Sequence, residues 1–148
     1  MSNNNFVLYL NKRGEQANFS WLKNLEKIIS KEFKLKQAIS LALVSEAEIK
    51  NLNRVYRHKN KVTDVLSFNL DSTAILGEVV ICLAVAKKQA KENKKSLSAE
   101  LKLLTIHGIL HLLAFDHELN EAEYNKQEEM QNKILKQISG IRRSRQII

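Results

Sequence analysis

The sequence predicts an α+β fold, a mixed four-stranded sheet packed with about five helices, and three observations lead there. Strand-like apolar runs end by Ile81, while helices cluster in the second half of the chain. The connection Asp71-Ser72-Thr73 is short enough for a hairpin, whereas the earlier strand-helix-strand order demands a right-handed crossover. A sheet containing both connections must be mixed. At 148 residues and 44% hydrophobic content, the chain fits a single domain over 1–148 that buries a core without disulfides.

Phe6 to Leu10 reads as the first strand. Trp21, Leu22, Leu25, Ile28, Ile29 and Phe33 then recur at helical spacing, with Ser20 in place as an N-cap. Ala38 to Val44 is a second apolar run bounded by Ser45, and Ala47, Ile49, Leu52, Val55 and Tyr56 mark a second helix. Val65 to Leu70 and Leu76 to Ile81 form the hairpin. Ala84 to Asn93, Leu97 to Ala114 and Glu121 to Ser139 read as helices, followed by a basic tail over about 140–148 with Arg142, Arg143 and Arg145. There is no proline and no repeat or Gly/Ser linker to divide the chain.

Composition narrows the function classes. Cys82, the only cysteine, lies in the apolar run Val79 to Leu83, so it reads as a small buried hydrophobe and no disulfide framework is possible. The amino terminus has neither a basic nor a long apolar segment, and the longest apolar stretch, Leu103 to Phe115, is too short for a bilayer and contains two histidines. The expectation is a soluble cytoplasmic protein with no membrane partner. A formal charge of +8, from 24 Lys+Arg against 16 Asp+Glu, suits a polyanionic partner and equally suits plain solubility.

Three of the four histidines fall in His107-x3-His111-x5-His117. On a helix His107 and His111 are about 40° apart and point toward a common centre, but His117 must come from another direction. The helix must therefore end near Ala114 and the chain turn back. Leu103, Leu104, Ile106, Ile109, Leu110, Leu112 and Leu113 cover nearly the whole circumference of that helix, which marks it as buried. Buried imidazoles need partners: backbone carbonyls in an ordinary core, or a cation. Three neutral imidazoles without a thiolate match a catalytic site for one zinc ion with a position left to water, although iron, nickel and copper also accept imidazole. His58, in the polar stretch Arg57-His58-Lys59, is not part of the pattern.

Metzincin proteases share this histidine spacing but place a glutamate after the first histidine and a glycine three residues after the second. Here those positions hold Gly108 and Ala114. Without the general base a peptidase reading is weak, and a cationic protein with a dicationic metal better matches a phosphodiester. Arg54, Arg57, Lys59 and Lys61 precede an apolar strand, with the two arginines one helical turn apart. They are candidate phosphate contacts or a solvated helix end offsetting the dipole.

Three runs together carry a family resemblance: His107-Gly-x-Leu110-His111-Leu112-x-x-Phe115-Asp116-His117, Leu52-Asn53-x-x-Tyr56-Arg57, and Thr63-Asp64-Val65-Leu66-Ser67-Phe68. With Leu76-Gly77-Glu78-Val79-Val80-Ile81 following, the chain resembles the bacterial YbeY endoribonucleases. The resemblance implies a zincin-like fold and a zinc-dependent, single-strand-preferring endoribonuclease in small-subunit ribosomal RNA maturation and ribosome quality control. Its implied partners are precursor ribosomal RNA and the small ribosomal subunit with its associated factors. It assigns His107, His111 and His117 as metal ligands and makes Arg57 and His107 the expected catalytic residues. Val62 and Ala114-Phe115 depart from the family's Pro and Gly-Tyr. A metal-containing assembly factor without catalysis remains an alternative, and a metallopeptidase a lesser one. Asp116, or Glu118, is a candidate to orient a ligand imidazole, against a plain helix-terminating cap. Lys87, Lys88, Lys91, Lys94 and Lys95 read as an RNA-facing surface or a solvated helix, and neither they nor the basic tail are interleaved with aromatics for base stacking.

Overall fold

The computed structural model describes residues 7–12, 17–70, 72–113 and 120–147. In chain order the elements are β1 (Leu8–Lys12), α1 (Leu22–Phe33), β2 (Ala38–Val44), α2 (Glu46–Arg57), β3 (Val65–Asn69), β4 (Ile75–Cys82), α3 (Leu83–Glu92), α4 (Leu97–Leu112) and α5 (Glu121–Ile147). The expected α+β architecture with four strands and five helices is what forms. The strands lie in the order β1-β2-β4-β3, parallel except for the antiparallel β3–β4 hairpin.

Alternation along the two central strands sets the layers, because successive side chains point to opposite faces. Ile39, Leu41 and Leu43 of β2, with Val79 and Ile81 of β4, enter the larger core, which Leu25 and Ile29 of α1, Leu101, Ile106, Ile109 and Leu110 of α4, and Ile134 and Ile138 of α5 complete. Ala42, Val80 and Cys82 point the other way, where Leu66 of β3 and Ile49 of α2 close a smaller cluster. Burial pushes the Cys82 thiol up, as expected of a packing residue.

Several boundaries differ from the sequence reading for local reasons. β1 extends two residues further than expected, to Lys12, with Leu8 aligned with Ile39 and Leu10 with Leu41 in its parallel ladder, while Phe6 lies outside the described residues. Ser20 does not cap α1: Trp21 takes the N-cap position without a side-chain bond. Asn18 organises the entry instead, its Oδ1 accepting from the Ser20 N–H at 2.9 Å and its carbonyl from the Trp21 indole N–H at 2.9 Å. Ser45 and Glu48 form a reciprocal capping box at the start of α2. At its carboxyl end, α5 continues through the basic segment to Ile147. With no proline present, the single Gly140 costs about 1 kcal/mol and does not end the helix. No helix among the described residues is long and apolar enough to cross a membrane.

Ser96 caps α4 by accepting from the Ala99 N–H at 3.0 Å, and the helix then crosses the sheet at Gly108. A Cβ there would lie 2.5 Å from Val79 Cγ1 and 3.2 Å from Ser67 Oγ, so only hydrogen fits between helix and sheet. Gly77 plays the matching part in β4, where a Cβ would meet the Phe68 carbonyl at 2.5 Å and Leu112 Cδ2 at 2.7 Å. Val79 is fully buried and β-branched, hence poorly able to yield. Gly108→Ala is therefore expected to lower stability by ~1–2 kcal/mol, overpacking outweighing the better helix propensity of alanine. Urea unfolding measures this, and unchanged or increased stability would contradict so close an approach.

Candidate active site

β3 is an edge strand. Its even-numbered flanks pair inward, the Cys82 N–H donating to the Asp64 carbonyl at 2.9 Å and the Leu70 N–H to the Leu76 carbonyl at 3.0 Å. Ser67, between them, turns its carbonyl to the free edge, where Arg57 Nη2 donates to it at 2.6 Å. Its side chain reaches toward α4, Oγ donating to the Gly108 carbonyl at 2.8 Å. One residue thus ties the end of α2 and the middle of α4 to the same point of the sheet.

His107 and His111 flank that point. Their Nε2 atoms are 3.0 Å apart, with ring centroids at 4.5 Å and planes inclined by 56°. Behind them, Gln131 of α5 sets its Oε1 3.0 Å from His107 Nδ1. An amide oxygen at this place accepts from Nδ1 in the tautomer that leaves the Nε2 lone pair to the cavity. Two converging imidazole nitrogens suit a first-row divalent cation, for which bonds of about 2.0–2.1 Å from each span the observed separation. The donor set thus fits a metal, and an acceptor on the far nitrogen is the usual support for a ligating histidine, a place the Gln131 amide oxygen takes here.

Arg57, Asp64, Ser67, His107 and His111 line a depression of about 170 Å³. The Asp64 carboxylate is pinned on its rim, Oδ1 accepting from the Val65 N–H at 2.8 Å and Oδ2 from Gln89 Nε2 at 3.3 Å. Of the expected site residues, Arg57, His107 and His111 come together here. His117 lies outside the described residues, as do Ala114, Phe115, Asp116 and Glu118, and among the described residues no group of three or more His, Cys, Asp or Glu converges as a metal site. Arg54 turns back along α2 to Asn51 Oδ1 at 2.6 Å, and His58 is the exposed left-handed cap of the helix with φ 60°. Lys95 pairs with the buried Glu100 at 3.0 Å, while Lys88, Lys91 and Lys94 are exposed. Position 108 faces the sheet and has no room for a glutamate, which removes the general base that a metzincin would require.

Two contributors escaped the sequence reading. Gln131 carried a faint signal: Gln127 and Gln131 are spaced one turn apart beside the apolar stripe of Met130, Ile134 and Ile138. Asp64 stood in a quoted run, yet only the fold turns it onto the rim.

A family model described as Endoribonuclease YbeY matches residues 9–139. An endoribonuclease YbeY from Ruthia magnifica is 41% identical over 119 residues, covering 77% of this chain and 81% of the relative. Another, from Staphylococcus carnosus, is 39% identical over 123 residues, covering 73% and 80%. Among solved structures, the solution structure of TM1509 from Thermotoga maritima superposes with a TM-score of 0.65 at 31% identity, covering 95% of this chain and 93% of that one.

If Gln131 fixes the His107 tautomer, Gln131→Leu should leave the fold intact and shift His107 toward a mixture of protonation at Nδ1 and Nε2. Nitrogen-15 NMR of the histidine side chains reads this directly. An unaltered His107 signal in the variant would deny Gln131 that part.

Proposed function

Since the chain belongs to the endoribonuclease YbeY family, a family of hydrolytic nucleases, we propose that it cleaves single-stranded RNA during small-subunit ribosomal RNA maturation and ribosome quality control. In this reading one zinc ion is held by His107, His111 and His117, Arg57 and His107 carry catalysis, and the substrate is a ribosomal RNA precursor. The protein works in the cytoplasm alongside the small ribosomal subunit and its associated factors. The observation that carries the proposal is the joint anchoring of Arg57 and the His107–His111 pair at Ser67, which sets a phosphate-binding fork opposite two converging imidazoles.

Each side chain has a definable task. Gln131 keeps the His107 proton on Nδ1, so that Nε2 faces the cavity as a lone-pair donor. Arg57 gives one N–H to the Ser67 carbonyl, which orients the guanidinium, whose planar fork suits the non-bridging oxygens of a phosphate. Its delocalised positive charge faces the negative charge that develops on the phosphate in the transition state. Bound to the histidines, zinc would supply Lewis acidity and a nucleophile available near neutral pH. The net charge of +8 draws the polyanion to the surface without selecting sequence.

Cleavage of a single-stranded RNA by the zinc-loaded wild type and His111→Ala proteins, with elemental analysis of both, tests the reading. The wild type should cleave and carry one zinc per chain, and the variant should do neither; equal cleavage by both would refute it. Arg57→Ala is expected to lower turnover about 10²–10³-fold with a much smaller loss of RNA affinity. Arg54→Ala should mainly weaken binding, more so at low salt. Kinetics at saturating RNA separate the two effects, and equal losses of affinity and turnover in Arg57→Ala would reduce that residue to a generic phosphate contact.

A further inference from the structure

Beside the depression, on the side away from the histidines, lies an aromatic pair that the cleavage reading leaves unused. Tyr56, at the end of α2, is 62% exposed, the most open of the large hydrophobic side chains among the described residues. It packs against Phe68 of β3 with centroids 5.3 Å apart and planes inclined by 64°. The Arg57 guanidinium lies 5.9 Å from the centroid of the same Phe68 ring. Phe68 therefore links an open aromatic surface to the fork that faces the cavity.

The platform is built rather than incidental. Asn53, only 3% exposed, donates from Nδ2 to the Lys61 carbonyl at 3.0 Å and accepts the Lys59 N–H on its own carbonyl at 3.2 Å, tying the loop after α2 to the helix that presents Tyr56. Lys59 and Lys61 on that loop are exposed, adding positive charge to the segment that follows Tyr56. An exposed ring backed by a second ring that also meets a guanidinium matches a nucleotide: base over ring, phosphate on arginine. Arg57, Lys59 and Lys61, all within five residues of Tyr56 in the chain, favour a polyanion over an apolar protein surface.

We propose that Tyr56, backed by Phe68, stacks one unpaired nucleobase of RNA adjacent to the phosphate that Arg57 holds. The proposal rests on the RNA-cleavage reading and adds a source of the preference for single strands. A paired base is already stacked in its helix and has no free face to give, whereas an unpaired one does. Because every base has a π-face, the platform selects unpaired over paired RNA without reading sequence.

The test uses the full-length protein with metal withheld by a chelator, so that RNA binds without being cut, and a set of short single-stranded RNAs lacking one base at a time. Wild type should lose affinity about 5- to 150-fold when the base is missing at one position, and little elsewhere. Tyr56→Ala should bind the intact RNA more weakly by a similar factor and be indifferent to that missing base, while Tyr56→Phe, which keeps the ring, should behave as wild type. If Tyr56→Ala binds intact RNA as tightly as wild type, or still senses the missing base, the platform is refuted, and a protein partner or no partner at all uses the ring. Adding zinc to wild type with the intact RNA tests the other reading separately. Absence of cleavage there, with the base-dependent binding still present, overturns the nuclease assignment and leaves the stacking site standing.

Discussion

At Gly108 the backbone of α4 rests on the sheet with only a hydrogen between them, and the placement of the two histidines relative to Ser67 and Arg57 follows from that contact. Val79 fills the space where a side chain would stand, and Ser67 bonds the Gly108 carbonyl from the neighbouring strand. His107 and His111 sit on either side of the glycine, so their depth relative to β3 is set by the closest possible helix–sheet approach. On the outer edge of the same strand, the Ser67 carbonyl receives Arg57. A residue of moderate size at position 108 would lift the histidines away from the arginine while leaving the histidine spacing intact.

The site is also an arrangement for keeping polar groups at the margin of an apolar core. Most of α4 is buried, and an unpaired polar atom in that setting costs about 1–3 kcal/mol. His107 meets this cost by facing Gln131 on one side and the cavity on the other. Asp64 meets it at the end of β3, where the Val65 N–H and the Gln89 amide hold its two oxygens. Such fixing restricts rotation before any substrate arrives, the condition under which charged groups stabilise a transition state with little reorganisation. Arg57 differs in being exposed, with a bond to the Ser67 carbonyl and the Phe68 ring 5.9 Å from its guanidinium, an arrangement that orients it while leaving it open to a ligand.

Local signals in the chain reveal the parts of this molecule that depend on neighbours in sequence. The apolar run Ala38 to Val44, the Ser45 start of α2, the hairpin and the end of α4 near Leu113 form where pattern and capping predict. The pairing of His107 with His111 follows from helical spacing alone. Capping at Ser20 was misplaced because Asn18 and the Trp21 indole bond each other across the turn, a contact no periodicity reveals. Gln131, Asp64 and the Tyr56–Phe68 pair depend on which elements pack together, and their sequence separations carry no period. Gly108 was legible as the absence of a peptidase base, but its positive purpose, contact with Val79, required the sheet.

In the proposed function, RNA cleavage depends on a metal held by His107 and His111 together with His117. Back-titration of zinc into protein stripped by a chelator, followed by cleavage rate, tests that dependence. The stripped protein should not cleave, and activity should return linearly to a plateau at one equivalent per chain. Full activity in protein verified to be metal-free, or a return of activity in His107→Ala, His111→Ala protein at the same stoichiometry, would contradict it.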